Sequence, residues 1–215
     1  MGHMASGIAN ELRAPVLGIS SAAQLLRFRA TEDPVIEKNV GRILHEAERL
    51  NRMVASLLEY GRIEPLNLTV ANPDDVWDRV LEQQRGALER RSLLVDRIRA
   101  PDNLKCAIDV DRLSVVFRHL IANAVEASQE AGDIFLASSG NDNTGWSCHL
   151  RNDGDVIAGD ELSRVFDMFF TTRTGNAGIG LATARRLIEQ HGGSIEITSI
   201  PQSGTTVSVA LPAAV

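Results

Sequence analysis

Four short segments between Leu120 and Leu181 decide the reading of this chain: Leu120-Ile121-Ala122-Asn123-Ala124-Val125-Glu126-Ala127-Ser128, Arg151-Asn152-Asp153-Gly154, Phe166-Asp167-Met168-Phe169-Phe170-Thr171-Thr172-Arg173 and Gly178-Ile179-Gly180-Leu181. The first lies in a helical pattern from about Asp111 to Gln129. Asn123 follows His119 by four residues, so both occupy one helical face. A side-chain amide oxygen is a hard, neutral ligand suited to a Mg²⁺ that also holds phosphate oxygens. Asn152 ends a strand pattern, where a polar side chain could read the exocyclic amine of adenine, and Gly154 lets the backbone come near the base. Asn-Asp-Gly is equally ordinary turn chemistry. Gly175, Gly178 and Gly180 precede a helix, where glycines let the chain close over phosphates and free amides favour anions. Taken singly, each segment has a plain structural reading. Their joint order describes a nucleotide pocket with a movable lid.

The flanking pattern supplies the fold class. Leu66, Leu68 and Val70 alternate as a short strand. Asn72 and Pro73 open a helix with Val76, Val80, Gln83 and Ala87 on one side. Leu93 to Ile98, Leu104 to Ile108, Ile134 to Ala137 and Trp146 to Leu150 read as strands. A helix from Leu181 to His191 and strands Ser194 to Ile200 and Thr205 to Leu211 close the chain. This mixture predicts an α+β sandwich with an antiparallel-rich sheet covered on one face by helices.

Upstream, Ile8, Leu12, Val16, Ile19, Ala23 and Leu26 form a helical stripe interrupted by Pro15, where a bend is expected. Ile36, Val40, Ile43, Ala47, Leu50, Val54 and Leu57 then alternate steps of four and three, a strict heptad. Two helices cannot bury such a stripe well, so the expectation is an antiparallel hairpin that forms a homodimeric four-helix bundle. The opening Met1 to Ser6 reads as a cloning scar. The domains expected are 1–6 scar, 7–62 helical hairpin and 63–215 sandwich.

The 215 residues are 44% hydrophobic, enough for one sizeable core or a core plus a smaller helical unit. A formal charge of −6 and an aromatic content of 4% argue against a nucleic-acid partner. Cys106 and Cys148, in apolar strand contexts, read as buried free thiols. No apolar run reaches membrane-span length, so a cytoplasmic domain is expected, with membrane attachment only through an N-terminal segment outside this sequence.

The order Asn123-Ala124, Asn152-Asp153-Gly154, Phe169-Phe170-Thr171-Thr172-Arg173, Gly178-Ile179-Gly180-Leu181 and His191-Gly192-Gly193 resembles the ATP-binding domain of sensor histidine kinases, relatives of the gyrase and Hsp90 ATPases. Asn10-Glu11-Leu12-Arg13-Ala14-Pro15 looks like their histidine box. The resemblance covers nearly the whole chain after the scar. It implies ATP and Mg²⁺ as cofactors, Asn123 as the metal ligand, and His119, Asn152, Gly154, Arg173, Gly178, Gly180, Leu181 and Thr205 as nucleotide contacts. It also implies a response-regulator receiver domain as partner. The chain departs from the family pattern at several places. Asn152 replaces an aspartate, Val156 a glycine and Asn176 a glycine. His119 stands where asparagine is common, and Glu126 where many relatives have a basic residue.

The largest departure is Asn10, at the position of the phosphate-accepting histidine. An amide nitrogen shares its lone pair with the carbonyl and is a poor nucleophile. The resemblance gives Glu11 the role of orienting the histidine ring and taking its proton. Asparagine at position 10 implies either a designed substitution or a natural pseudokinase that signals by conformation. A third class, another ATPase of the same fold such as a serine kinase acting on an anti-sigma partner, lacks the helical box. Ala14 stands where relatives that dephosphorylate their partner carry threonine or asparagine, which makes such an activity unexpected here.

Overall fold

The computed structural model describes residues 2–29, 33–61, 65–173 and 176–214. Side chains at 2–11, 13–14, 29, 52, 56–57 and 59–60 lie outside that description. The chain divides into two compact units. One comprises Met1–Glu64 with Asp167–Ile179, the other Pro65–Phe166 with Gly180–Val215. The expected boundary between residues 62 and 63 falls outside the described residues. The segment Asp167–Ile179, expected within the sandwich, groups instead with the helices.

In the first unit α1 (Gly2–Arg29) and α2 (Pro34–Gly61) form the expected hairpin. Pro15 lies inside α1. Asp33 starts α2, its carboxylate accepting from the Val35 amide at 2.8 Å, with Pro34 in the first turn. The single stripe expected from the heptad proves to be two. Val16, Ala23, Val40, Ala47 and Val54 are buried between the helices. Leu12, Ile19, Leu26, Ile36, Ile43 and Leu50 remain between 41% and 53% exposed. The hairpin thus closes over its small side chains and leaves its larger ones half in solvent.

The second unit is built on a five-stranded sheet. It contains β2 (Leu94–Ile98), β4 (Asp133–Asn141), β5 (Gly145–Asn152), β7 (Gly204–Leu211) and β6 (Ser194–Ile200), in the order β2-β4-β5-β7-β6. Only β2 and β4 run parallel; the other pairs are antiparallel. A separate two-stranded sheet joins β1 (Thr69–Ala71) to β3 (Cys106–Ile108). The strand expected over Leu104 to Ile108 is therefore shorter and belongs outside the main sheet. Three long helices, α3 (Pro73–Arg90), α4 (Val110–Ala127) and α6 (Gly180–Gln190), accompany the sheet, with a short α5 (Gly159–Leu162) not anticipated from sequence. α4 packs between α3 and α6 and against β5.

Aromatic stacking organises the core. Trp77 stacks on Phe117 with centroids 4.1 Å apart, and Phe117 meets Trp146 at 5.8 Å. All three are fully buried. Gln83, expected on the inner side of α3, is exposed. Trp77, three residues before Val80, fills the inner face instead. At the start of α3 the buried Asp74 carboxylate accepts from the Arg97 guanidinium at 2.6 Å, the Ala100 amide at 2.8 Å and the Trp146 indole at 3.2 Å. Such a pairing is what a buried charge requires. Cys106 and Cys148 are buried and free. Burial pushes the Cys148 thiol up to about 12, which leaves it protonated and inert at neutral pH.

Candidate functional site

The frame of the site is α4. Its N-terminus is fixed by Asp109, whose carboxylate caps the Arg112 amide at 3.0 Å and accepts from the Asn67 amide at 2.9 Å. The Asp109 amide in turn donates to His191 Nε2 at 3.0 Å, and His191 Nδ1–H donates to the Leu187 carbonyl at 2.7 Å. A carbonyl only accepts and an amide N–H only donates, so the ring is the neutral Nδ1–H tautomer. His191 is therefore a buried strut between the end of α6 and the start of α4. The C-terminus of α4 is closed by Arg91, which donates to the Val125 carbonyl and, at 2.8 Å, to that of Ser128. Nothing in the sequence pattern marked Arg91 for this role.

His119, Asn123 and Ala127 recur every four residues and form one row along α4. At one end of the row, a Cβ on Gly180 would lie 3.2 Å from His119 Nδ1. The start of α6 is thus set directly against the imidazole. At the other end, a Cβ on Gly154 would lie 1.9 Å from the Ala127 carbonyl oxygen. Only glycine permits that approach of the strand end to the helix. Asn123 stands between these two contacts. Leu181 is the second residue of α6 and half-buried.

The strand end is held from several sides. Asn152 pairs in register with Ile134 on β4 and Thr205 on β7. Gly204 has φ +76°, and a Cβ there would come 2.0 Å from the Asn152 carbonyl oxygen. Thr205 and Ser199 hydroxyls are 2.8 Å apart, and Ser199 Oγ accepts from the Ile157 amide at 2.9 Å. Asn152 is 5% exposed, and its side-chain Nδ2 has no hydrogen-bond partner among the described residues. A buried donor without a partner is costly, and a ligand acceptor would satisfy it.

Of the expected site residues, His119, Asn123, Asn152, Gly154, Gly180, Leu181 and Thr205 belong to the sheet unit, and Arg173 and Gly178 to the other. Gly178 has a structural reason of its own. Its φ is +66°, its carbonyl accepts from the Phe169 amide at 2.8 Å, and a Cβ would lie 2.6 Å from the Phe170 carbonyl oxygen. Phe169 itself takes φ +66°, uncommon for a bulky residue, and is exposed. Arg173 is exposed, with its amide donating to Thr171 Oγ1 at 3.1 Å. Gly175 and the side chains of Asn10 and Glu11 lie outside the described residues; the backbone at 10 and 11 is within α1. Glu126 is exposed on α4.

A nucleotide with a hard cation fits these residues. Gly154 brings the strand end against Ala127 and Gly180 brings α6 against His119, while Asn152 holds an unspent donor. Asn123 offers a neutral amide. Among the described residues no group of three or more His, Cys, Asp or Glu could hold a metal. A cation here would take most of its ligands from phosphate oxygens and water. A separate cavity of about 460 Å³ runs along α6 and β6, lined by Phe166, Arg185, Glu189 and Ile197 among others. None of the expected site residues lines it. No helix among the described residues is long and apolar enough to cross a membrane.

Comparison with known proteins bears on family and fold. Residues 108–215 match the model of the histidine kinase-, DNA gyrase B- and HSP90-like ATPases, and residues 1–66 that of the His Kinase A (phospho-acceptor) domain. The sensor histidine kinase ZraS of Salmonella typhimurium is 32% identical over 213 residues, covering 99% of this chain and 46% of that protein. The signal transduction histidine-protein kinase AtoS of Escherichia coli is 30% identical over 216 residues, covering 99% of this chain and 35% of that protein. The chain therefore spans less than half the length of these relatives. Among solved structures, full-length ShkA in complex with AMPPNP covers the whole chain and 46% of ShkA, with TM-score 0.78 and 21% identity. The histidine kinase ThkA in complex with the response regulator TrrA gives TM-score 0.71 and 24% identity over 98% of this chain and 61% of ThkA. These two likenesses concern the fold.

Proposed function

This chain belongs to the histidine kinase-, DNA gyrase B- and HSP90-like ATPases and carries the core of a two-component sensor histidine kinase, and from that premise we propose that it binds ATP with Mg²⁺ along α4. One observation carries the reading. The row His119–Asn123–Ala127 is bounded by the glycine start of α6 at one end and the Asn152–Gly154 strand end at the other. Asn152 would meet the base and Gly154 would let it approach. Asn123 would ligate the cation, with His119 beside the phosphates. Gly180 and Leu181 would present free helix-start amides to them. Thr205 would orient the strand end through Ser199. The family resemblance would give Arg173 and Gly178 phosphate-contact roles as well. Bound Mg–ATP supplies the γ-phosphoryl group and the charge neutralisation for its transfer.

Residues 7–62 would be the dimerisation and phosphoacceptor hairpin and 63–215 the catalytic domain. The half-exposed stripe of Leu12, Ile19, Leu26, Ile36, Ile43 and Leu50 supports a homodimer, because pairing two hairpins would bury it as a bundle core. In a chain with histidine at position 10, the ring nitrogen would attack the γ-phosphorus as its bond to the β,γ-bridging oxygen broke and ADP left, while Glu11 oriented the ring and took its proton. The phosphoryl group would then pass to an aspartate of a response-regulator receiver domain. Asn10 has no such nucleophile, so this chain would bind ATP and not phosphorylate itself. Asn10 equally favours a second reading, an ATP-responsive dimeric module that acts by shape.

Incubation with γ-labelled ATP separates these readings. The expectation is no acid-labile label on this chain and clear labelling of Asn10→His. Acid-labile label on the unmodified chain overturns the kinase assignment of position 10. An Asn10→His protein that binds ATP yet stays unlabelled favours the module.

A further inference from the structure

The Asn152 main chain is held by the sheet, while its side-chain Nδ2 is hydrogen-bonded to nothing among the described residues. Strand pairing with Ile134 and Thr205 holds the backbone, and Gly204 packs on its carbonyl. Asn152 is 5% exposed, yet its Nδ2 donates to nothing among the described residues. The floor beneath it is Gly154, where a Cβ would lie 2.8 Å from Nδ2. Among the described residues no hydrogen bond to either amide atom selects between the two orientations of the amide plane.

That freedom has a chemical consequence that a carboxylate would lack. An ionised carboxylate only accepts, whereas an amide carries an acceptor and a two-hydrogen donor on one plane. A 6-aminopurine offers an amino donor beside the N1 acceptor. A 6-oxopurine offers the reverse, an O6 acceptor beside an N1–H donor. Half a turn of the amide exchanges Oδ1 and Nδ2 and matches either edge. We propose that Asn152 makes this site a reader of both 6-amino and 6-oxo purine triphosphates, so that ITP binds nearly as well as ATP. The inference rests on the nucleotide reading of the site.

The test is equilibrium competition on the full chain with Mg²⁺ present, ATP and ITP each displacing a labelled ATP analogue. The expected result is an ITP affinity within about tenfold of that for ATP, since each base finds two complementary partners. In Asn152→Asp, ITP should weaken by a further factor of about 100 relative to ATP, because O6 would face an acceptor-only group. Should that variant fail to fold, the ratio on the unmodified chain decides alone. ATP binding with ITP weaker by about 100-fold or more on the unmodified chain overturns this inference and leaves the nucleotide site standing. Absence of ATP binding overturns both.

Discussion

The two compact units spend their hydrophobic residues in opposite ways. The sheet unit buries its largest side chains, Trp77, Phe117 and Trp146, completely. The hairpin buries valine and alanine and leaves leucine and isoleucine half exposed. An element that hides its small residues and shows its large ones is incomplete alone, because exposed apolar area is what association removes from water. The sheet unit has a core of its own. The proposed homodimer would bury the hairpin's half-exposed stripe. If the proposed homodimer forms, the size of the residues at each position of a heptad separates the seam made within a chain from the seam made between chains.

The largest expected effect breaks the comparison on its self-sufficient side. Phe117 is the ring shared by both tryptophan contacts. Phe117→Ala should destabilise the sheet unit by about 3–5 kcal/mol, from lost burial and the cavity left behind. Both tryptophans of the chain lie in that unit. Their fluorescence therefore reports it alone, while far-ultraviolet dichroism is weighted toward the two 28-residue helices. The expected result is a denaturation midpoint shifted for fluorescence, with much of the helical signal and the self-association retained. Equal shifts in both signals would show the units to be one cooperative body.

Much of this was legible in the sequence, for reasons that can be named. Asn72 before Pro73, the heptad of α2 and the alternation in β7 are local signals, and each element formed where its chemistry pointed. The pairing of His119 with Asn123 on one face follows from helical spacing alone, and Ala127 joined the row only through its contact with Gly154. What escaped was non-local. Trp77 displaced Gln83 from the inner face because a ring on α4 was there to stack with. Asp74 could not be seen as a buried charge without its Arg97 partner 23 residues away. Arg91 closes α4 across 34 and 37 residues of chain, and His191 braces Asp109 across 82. The split of the α2 heptad into a buried and a half-exposed stripe needed α1 as a reference. Gly178 was legible as a special glycine, though its backbone explanation lies in the turn with Phe169.

An intermediate effect sharpens the other side. Ile43→Asp places a charge in the middle of the half-exposed stripe without touching the buried seam. The monomer tolerates it, since the position is 42% exposed. Burial in a bundle would not, and the dimer should weaken by a factor of about 100 or more, from lost apolar area and an unpaired charge. Leu94→Asp is the control. Leu94 is 69% exposed on the edge strand β2, outside the hairpin, and its replacement should leave the solution mass unchanged. Sedimentation equilibrium distinguishes the two. An Ile43→Asp protein that keeps the parental mass would remove the argument from side-chain size.

The smallest effect concerns how the sheet unit holds its site helix. Burial works to raise the Asp109 carboxyl, but the hydrogen bonds from the Arg112 and Asn67 amides, with the nearby Arg112 guanidinium, outweigh it and hold the group below the usual carboxylate range. A depressed folded value means the ionised form is favoured by folding. Its contribution is complete above the ordinary aspartate value of about 3.9 and disappears as pH falls through the lower folded value. Asp109→Asn keeps the shape and one acceptor, so the α4 cap survives in part, whereas Asp109→Ala removes it at about 1 kcal/mol. The Asn variant should lose less stability than the parent between pH 5 and pH 2 in urea titrations followed by tryptophan fluorescence, because one coupled proton is gone. Parallel stability–pH curves for parent and variant would mean that the carboxylate charge does nothing for the cap and that the two amide hydrogen bonds could be made as well by a neutral oxygen. In that case the brace between α4 and His191 stands on hydrogen-bond geometry alone, and the sheet unit's hold on its site helix is independent of acidity.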